Sequence, residues 1–201
     1  MILKQAKNIA DEMIERLRPT CERIEIAGSV RREKTEPNDI EIVAIPILKA
    51  PRPEFGEREI FKTSLDRLLA RMRRGGLIEV IKGGEKYKQF WKMNGGVHVI
   101  KIDLFLVTPP AQWGVIDVIR TGPDDFSHWM VTQRHKGGAL VDGFRVQEGI
   151  VLRGEEKTPH VILPLDGSLM PMPEEIDFFR FCGLEWIEPS KRQAEWRMRN
   201  E

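Results

Sequence analysis

Along the first stretch of the chain, apolar residues recur at Ile2, Leu3, Ala6, Ile9, Ala10, Met13, Ile14 and Leu17, steps of three and four that draw one helical stripe. Pro19 closes that helix. Arg23 to Ala27 reads as a short strand that runs into Gly28-Ser29, and a charged segment with no apolar pattern follows. A second strand, Asp39 to Ile45, is opened by the turn pair Pro37-Asn38 and closed by Pro46. Pro51, Pro53 and Gly56 mark a loop; beyond it Ile60, Phe61, Leu65, Leu68, Leu69 and Met72 predict an amphipathic helix ending near Gly75-Gly76. Strand-like runs then span Leu77 to Lys82, Lys86 to Met93 and Val97 to Thr108, separated by Gly83-Gly84 and Asn94-Gly95-Gly96.

Helix, two strands, helix and three strands make an α+β plan. Pro109-Pro110 interrupts it, and the pattern changes to short helical segments around Gln112 to Ile119 and Asp124 to Gln133. A hairpin-like segment from Phe144 to Leu152, a Pro-rich connection and a helix starting at Pro173-Glu174-Glu175 complete the chain. The expected organisation is therefore a first domain over 1–109 and a second over 110–201, without repeats or low-complexity tracts.

Composition narrows the class. With 201 residues, 41% hydrophobic and 31% charged, the chain buries a real core and is not a disordered tail. No run approaches roughly eighteen apolar residues, and Lys4, Lys7, Asp11, Glu12 and Glu15 interrupt the first helix, so neither a membrane span nor a signal peptide is expected. Cys21 and Cys182 alone make no disulfide framework or zinc site, so a reducing cytoplasm is the default expectation. A net charge of +1 leaves nucleic acid open, and the placement of the charges decides.

Three acids stand in apolar strands. Asp39 and Glu41 alternate with Ile40, Ile42 and Val43, so both leave one face of a strand, and Asp103 lies inside the run Val99 to Val107. A buried carboxylate costs several kcal/mol unless it is paired or bound to a cation, so this pattern suggests a hard, oxygen-seeking ion such as Mg²⁺. Two such ions clamp the attacking and leaving oxygens in phosphoryl transfer. The plainer alternative, acids facing solvent on a half-exposed strand, stays open on the acids alone. Upstream stands Gly28-Ser29-Val30-Arg31-Arg32, where glycine permits close approach, serine and backbone N–H groups can donate to a phosphate oxygen, and arginine offers a planar fork.

The combination of Gly-Ser-x-Arg-Arg, Asp-x-Glu on the next strand and a strand Asp farther on resembles the nucleotidyltransferase superfamily of DNA polymerase beta, and within it the DNA polymerase X family. Thr121-Gly122-Pro123-Asp124-Asp125-Phe126 is similar to that family's Thr-Gly-x-x-x-Phe segment. Pro173 to Phe179 and Gly183 to Arg192 resemble its last thumb helix and closing segment, so the likeness runs from about residue 5 to 192 and lacks only upstream domains. The resemblance implies a nucleotidyltransferase palm with a mixed sheet and flanking helices, then a small α+β thumb. It implies Asp39, Glu41 and Asp103 as the catalytic, metal-holding triad for two Mg²⁺ ions, with Mn²⁺ as a substitute, and Asp103 as acceptor of the primer 3′-hydroxyl proton.

For the nucleoside triphosphate the resemblance implies Gly28, Ser29, Arg32, Asn38, Thr121, Gly122 and Asp124; for DNA it implies Lys101 and Ser127, to which the charge pattern adds Lys86 and Lys88 and the position one turn after Asp124 adds His128. The implied reaction is addition of nucleotides to the 3′-hydroxyl of primer-template or gapped DNA by a monomeric, DNA-directed DNA polymerase of the gap-filling or repair type. Template-independent transfer to RNA ends or small molecules, and a non-catalytic nucleic-acid-binding module, are the alternatives. Five positions depart from the family pattern. Glu41 stands for aspartate, Lys101 for an arginine that supports the third acid, Ile119-Arg120 for an aromatic pair that rejects ribose, and Ser127 for asparagine.

Other features have simpler readings. Lys86 and Lys88, with Lys82 and Lys92 nearby, make either a basic stripe for phosphates or a solvated edge strand. Arg71, Arg73 and Arg74 suit a helix C-terminus. Trp91, Trp113, Trp129, Trp186 and Trp196 are expected in the core or at its rim rather than stacked on bases. His98, His128, His135 and His160 have no cysteine at ligand spacing; only His128, one turn after Asp124, is placed to meet a nucleotide or template.

Overall fold

Helix α1 (Leu3–Leu17) turns the stripe read in the sequence inward, burying Ala6, Ala10, Met13, Ile14 and Leu17. The structure is a computed structural model that describes residues 1–50, 52, 61–154 and 170–192. The expected loop at Pro51, Pro53 and Gly56, the helical position Ile60, most of the Pro-rich connection, His160 and Trp196 lie outside the described residues. The chain divides into two compact units, Met1–Val30 with Lys34–Leu106, and Arg31–Glu33 with Val107–Glu201.

In the first unit, strands β1 (Cys21–Ala27), β2 (Asp39–Pro46), β3 (Ile78–Gly83), β4 (Tyr87–Asn94) and β5 (Val97–Leu106) form one mixed sheet in the order β1-β2-β5-β4-β3. β2 and β5 are parallel, and the other pairings are antiparallel. Where the sequence suggests only a turn, Gly28–Arg31 forms a short helix, α2. Helix α3 (Ser64–Arg74) starts at Thr63, whose hydroxyl oxygen accepts the Asp66 backbone N–H at 3.1 Å and whose O–H donates to the Asp66 carboxylate at 2.7 Å. One alternation of the strands, including Ile40, Ile42, Phe90, Ile102 and Leu104, shares a core with α1 and α3. The other alternation carries Asp39, Glu41, Asp103, Gln89 and Tyr87 on the opposite face.

The second unit has helices α4 (Trp113–Thr121), α5 (Asp124–Val131) and α6 (Glu175–Phe181) and a hairpin of β6 (Phe144–Gln147) and β7 (Ile150–Arg153). Glu148 and Gly149 turn the hairpin with φ of 52° and 79°, the left-handed pair that a two-residue turn needs. Val115, Val118, Phe126, Met130, Phe178 and Phe179 form its core. Gly114 admits the segment before α6, since its N–H donates to the Met172 carbonyl at 2.9 Å and a Cβ there would strike the Glu174 carbonyl. Among the described residues no helix is long and apolar enough to cross a membrane.

A buried charge network holds the second unit together. Arg192, with no exposed surface, makes a two-pronged pair with Glu175 at 2.7 and 3.0 Å while its guanidinium lies over the rings of Phe126, Phe179 and Trp186. Arg31 adds a third hydrogen bond to Glu175 at 3.1 Å and reaches Asp117 at 2.9 Å and the Thr121 hydroxyl at 2.7 Å. Burial acts to raise the Glu175 carboxyl, but Arg192, Arg31 and the Trp186 indole N–H outweigh it and hold it below the ordinary glutamate range.

Candidate active site

The acids read from the sequence meet through strand register. β2 and β5 run parallel with Glu41 directly beside Asp103 and Asp39 beside Lys101, so all four side chains leave the face not covered by α1 and α3. Asp103 is buried at 8% exposure, whereas Asp39 and Glu41 are half-buried. Tyr87 O–H donates to Asp103 Oδ1 at 2.6 Å and Gln89 Nε2 donates to the same oxygen at 2.7 Å. Lys101 lies 3.7 Å from Asp39 rather than beside Asp103, so the third acid is supported by neutral donors from β4.

β1 delivers the Gly28-Ser29 turn to this face, because Ala27 pairs with Glu41 and Gly28 follows at once. Gly28 has φ of 59°, and a Cβ there would fall on the Glu41 carboxylate, so only glycine fits. The neighbouring Ser29 is 8% exposed, and among the described residues its buried hydroxyl has no hydrogen-bond partner. A buried hydroxyl in that condition costs free energy, and a ligand oxygen would relieve the cost.

Carboxylate oxygens are the donors a hard divalent cation takes, and these three share one face of adjacent strands. Among the described residues no three His, Cys, Asp or Glu side chains already form a group able to hold a metal ion. Asp103 Oδ1 is turned to Tyr87 and Gln89, and Asp39 Oδ2 to Lys101. The donor types and their strand placement suit such an ion, and the side chains are not closed into a coordination shell.

In the second unit, Arg32 donates to the Thr121 carbonyl at 2.7 Å, bringing together two positions that the resemblance assigns to the nucleotide. Thr121 is fully buried, Gly122 caps α4, and Asp124 is exposed in the first turn of α5. Ser127 O–H donates to the Ile119 carbonyl at 2.7 Å, and exposed His128 follows it. Asn38 is exposed just ahead of β2.

The lysines of β4 do not line up as a solvated stripe. Lys88 lies on the helix-covered side, 2.8 Å from Asp66 of α3, and Lys92 lies 3.3 Å from Glu12 of α1, with side chains 11% and 12% exposed. Burial acts to raise the Asp66 carboxyl, and Lys88 with Thr63 outweighs it, so the group stays below the ordinary aspartate range. Lys86 is exposed just before the strand, its carbonyl accepting the Leu106 N–H at 2.9 Å.

Sequence reasoning missed Tyr87, Gln89, Arg31, Asp117, Glu175 and Arg192 as members of these networks. Asp117 carried a signal, an acid between Val115-Ile116 and Val118-Ile119, and Gln89 becomes visible only once β4 is set against β5. In comparisons with known proteins, no protein-family model and no curated protein matches this chain.

Proposed function

We propose that the chain is a nucleotidyltransferase that adds nucleotides to the 3′-hydroxyl of DNA with release of pyrophosphate, as a DNA-directed DNA polymerase of the gap-filling or repair type. The observation that carries this reading is the juxtaposition of Glu41 and Asp103 in parallel register beside a Gly28-Ser29 turn whose buried hydroxyl has no partner among the described residues. The resemblance of the sequence to the DNA polymerase X family, carried by these same residues and by the Thr121-Gly122 and C-terminal segments, supports it.

Two Mg²⁺ ions held by Asp39, Glu41 and Asp103 would supply neutralisation of the charge that develops on the transferred phosphoryl group. The chain's own residues supply the rest. Ser29 O–H donates to a phosphate oxygen of the nucleotide, and Gly28 leaves the space in which that group comes near Glu41. Asp103 turns Oδ2, the carboxylate oxygen that Tyr87 and Gln89 leave open, to the ions, and the 3′-hydroxyl proton passes to water. The freed oxygen forms a bond to the α-phosphorus as the bond to the bridging oxygen breaks, and pyrophosphate carries away that electron pair. Arg32, Thr121, Gly122 and Asp124 are assigned to the nucleotide, and exposed Lys86 and His128 to the DNA strand.

Extension of a labelled primer, on a one-nucleotide gap and as a lone single strand, tests the reading. Addition of the templated nucleotide at the gap supports it. Equal addition to the lone strand would make the chain a template-independent transferase, and no addition to either would remove the activity.

A further inference from the structure

Asp103 is the most buried of the three acids, and among the described residues the side-chain hydrogen bonds to its carboxylate converge on one oxygen. Gln89 lies directly across the antiparallel β4–β5 pairing from Asp103, and Tyr87 lies one pleat farther along the same face. Their donors reach Oδ1 at 2.7 and 2.6 Å, while Oδ2 has no hydrogen bond among the described residues. Tyr87 is itself held, stacked on Phe105 with ring centroids 5.1 Å apart and with Lys82 Nζ 5.8 Å from its ring centre. Two fixed donors on one oxygen stop the carboxylate from rotating and leave a single oxygen, Oδ2, to meet a cation.

We infer that Tyr87 and Gln89 are positioning residues that make Asp103 a one-oxygen ligand for a divalent cation. The inference rests on the proposed two-metal site and names how this chain builds it. Both donors are neutral, so they orient the acid without pairing its carboxylate to a side-chain cation. Partners of this kind typically change metal affinity or activity by about 10–100-fold when removed.

Mn²⁺ binding to the full chain without DNA or nucleotide, followed by the loss of its free-ion electron paramagnetic resonance signal, tests this. Tyr87→Phe removes one donor and keeps the ring, and Gln89→Met removes the other at similar volume. Each is expected to weaken Mn²⁺ binding by about tenfold and to raise the Mn²⁺ concentration that half-activates nucleotide addition by a similar factor. A structural role alone would lower the melting temperature and leave Mn²⁺ affinity at the wild-type value, and that result overturns the inference. Tighter binding in either variant overturns it too, since the donors would then be competing with the ion. Asp103→Asn separates the levels: if that variant binds Mn²⁺ as wild type does, or wild type binds none, the two-metal reading itself fails along with the inference.

Discussion

Gly28 lies against Glu41 so closely that a single added methyl group would occupy the position of the Glu41 carboxylate. The contact follows from β1 pairing antiparallel with β2, which sets Ala27 across from Glu41 and brings the next residue round onto the acidic face. Gly28→Ala therefore meets two obstacles, a left-handed backbone at φ of 59° and a displaced acid. The backbone term alone costs about 1–2 kcal/mol. The expected outcome is a modest fall in thermal stability with a much larger fall in nucleotide addition. An active alanine variant would show that Glu41 does not need its observed position.

Ser29 makes a narrower prediction. Its hydroxyl is buried without a partner among the described residues, so Ser29→Ala should leave stability unchanged or slightly raised. It should raise the nucleotide KM by about tenfold while the Kd for primed DNA stays constant, because the group is assigned to the triphosphate. Steady-state kinetics beside a DNA-binding titration decides the matter. Weakened DNA binding with an unchanged nucleotide KM would move the turn to the DNA side.

Glu175 ties acid stability to the second unit. Its carboxyl is held below the ordinary glutamate range in the folded chain, so the unfolded state binds its proton first as pH falls. The stabilisation is fully present above the ordinary glutamate pKa near 4.5 and is lost as pH falls through the lower folded value. Glu175→Gln leaves the fully buried Arg192 without its carboxylate and should cost about 3–5 kcal/mol at neutral pH. Melting temperatures recorded from pH 7 downward should show wild type losing its advantage over Glu175→Gln in the acid range. A constant difference at every pH would contradict this assignment.

Sugar choice is the fourth expectation. Ile119-Arg120 stands where the family that the chain resembles carries an aromatic pair, and Ile119 is packed against the core of the second unit. With no ring to exclude a 2′-hydroxyl, discrimination between dGTP and GTP should be about tenfold in kcat/KM, or roughly 1.4 kcal/mol. A preference of about a thousandfold on the same gapped duplex would assign the selection to another group, such as the Thr121-Gly122 backbone.

Much of the fold was legible because its elements announce themselves locally. The stripe of α1, the alternation of β2 and the glycines around β4 each carry their own period or turn, and the structure has these elements within a few residues of the expected bounds. Gly28-Ser29 was legible as a place where the chain turns, but its short helix has no local signature. The triad was visible as acids in apolar strands, whereas their adjacency depends on the parallel β2–β5 pairing, which no local pattern specifies. Lys88 and Lys92 were misleading for the same reason. Their alternation is real, but it points toward α1 and α3, whose Glu12 and Asp66 pair with them. The Arg31, Asp117, Glu175 and Arg192 network joins residues far apart in the chain, and only the acid inside the apolar run of α4 hinted at it.

The most direct test of the account is single-nucleotide addition to a gapped primer by Asp103→Asn, measured beside its circular dichroism spectrum and melting temperature. The change keeps the side chain's size and removes its charge. The account predicts a folded variant whose turnover falls at least about a hundredfold. Turnover near the wild-type value in a folded Asp103→Asn protein would contradict it.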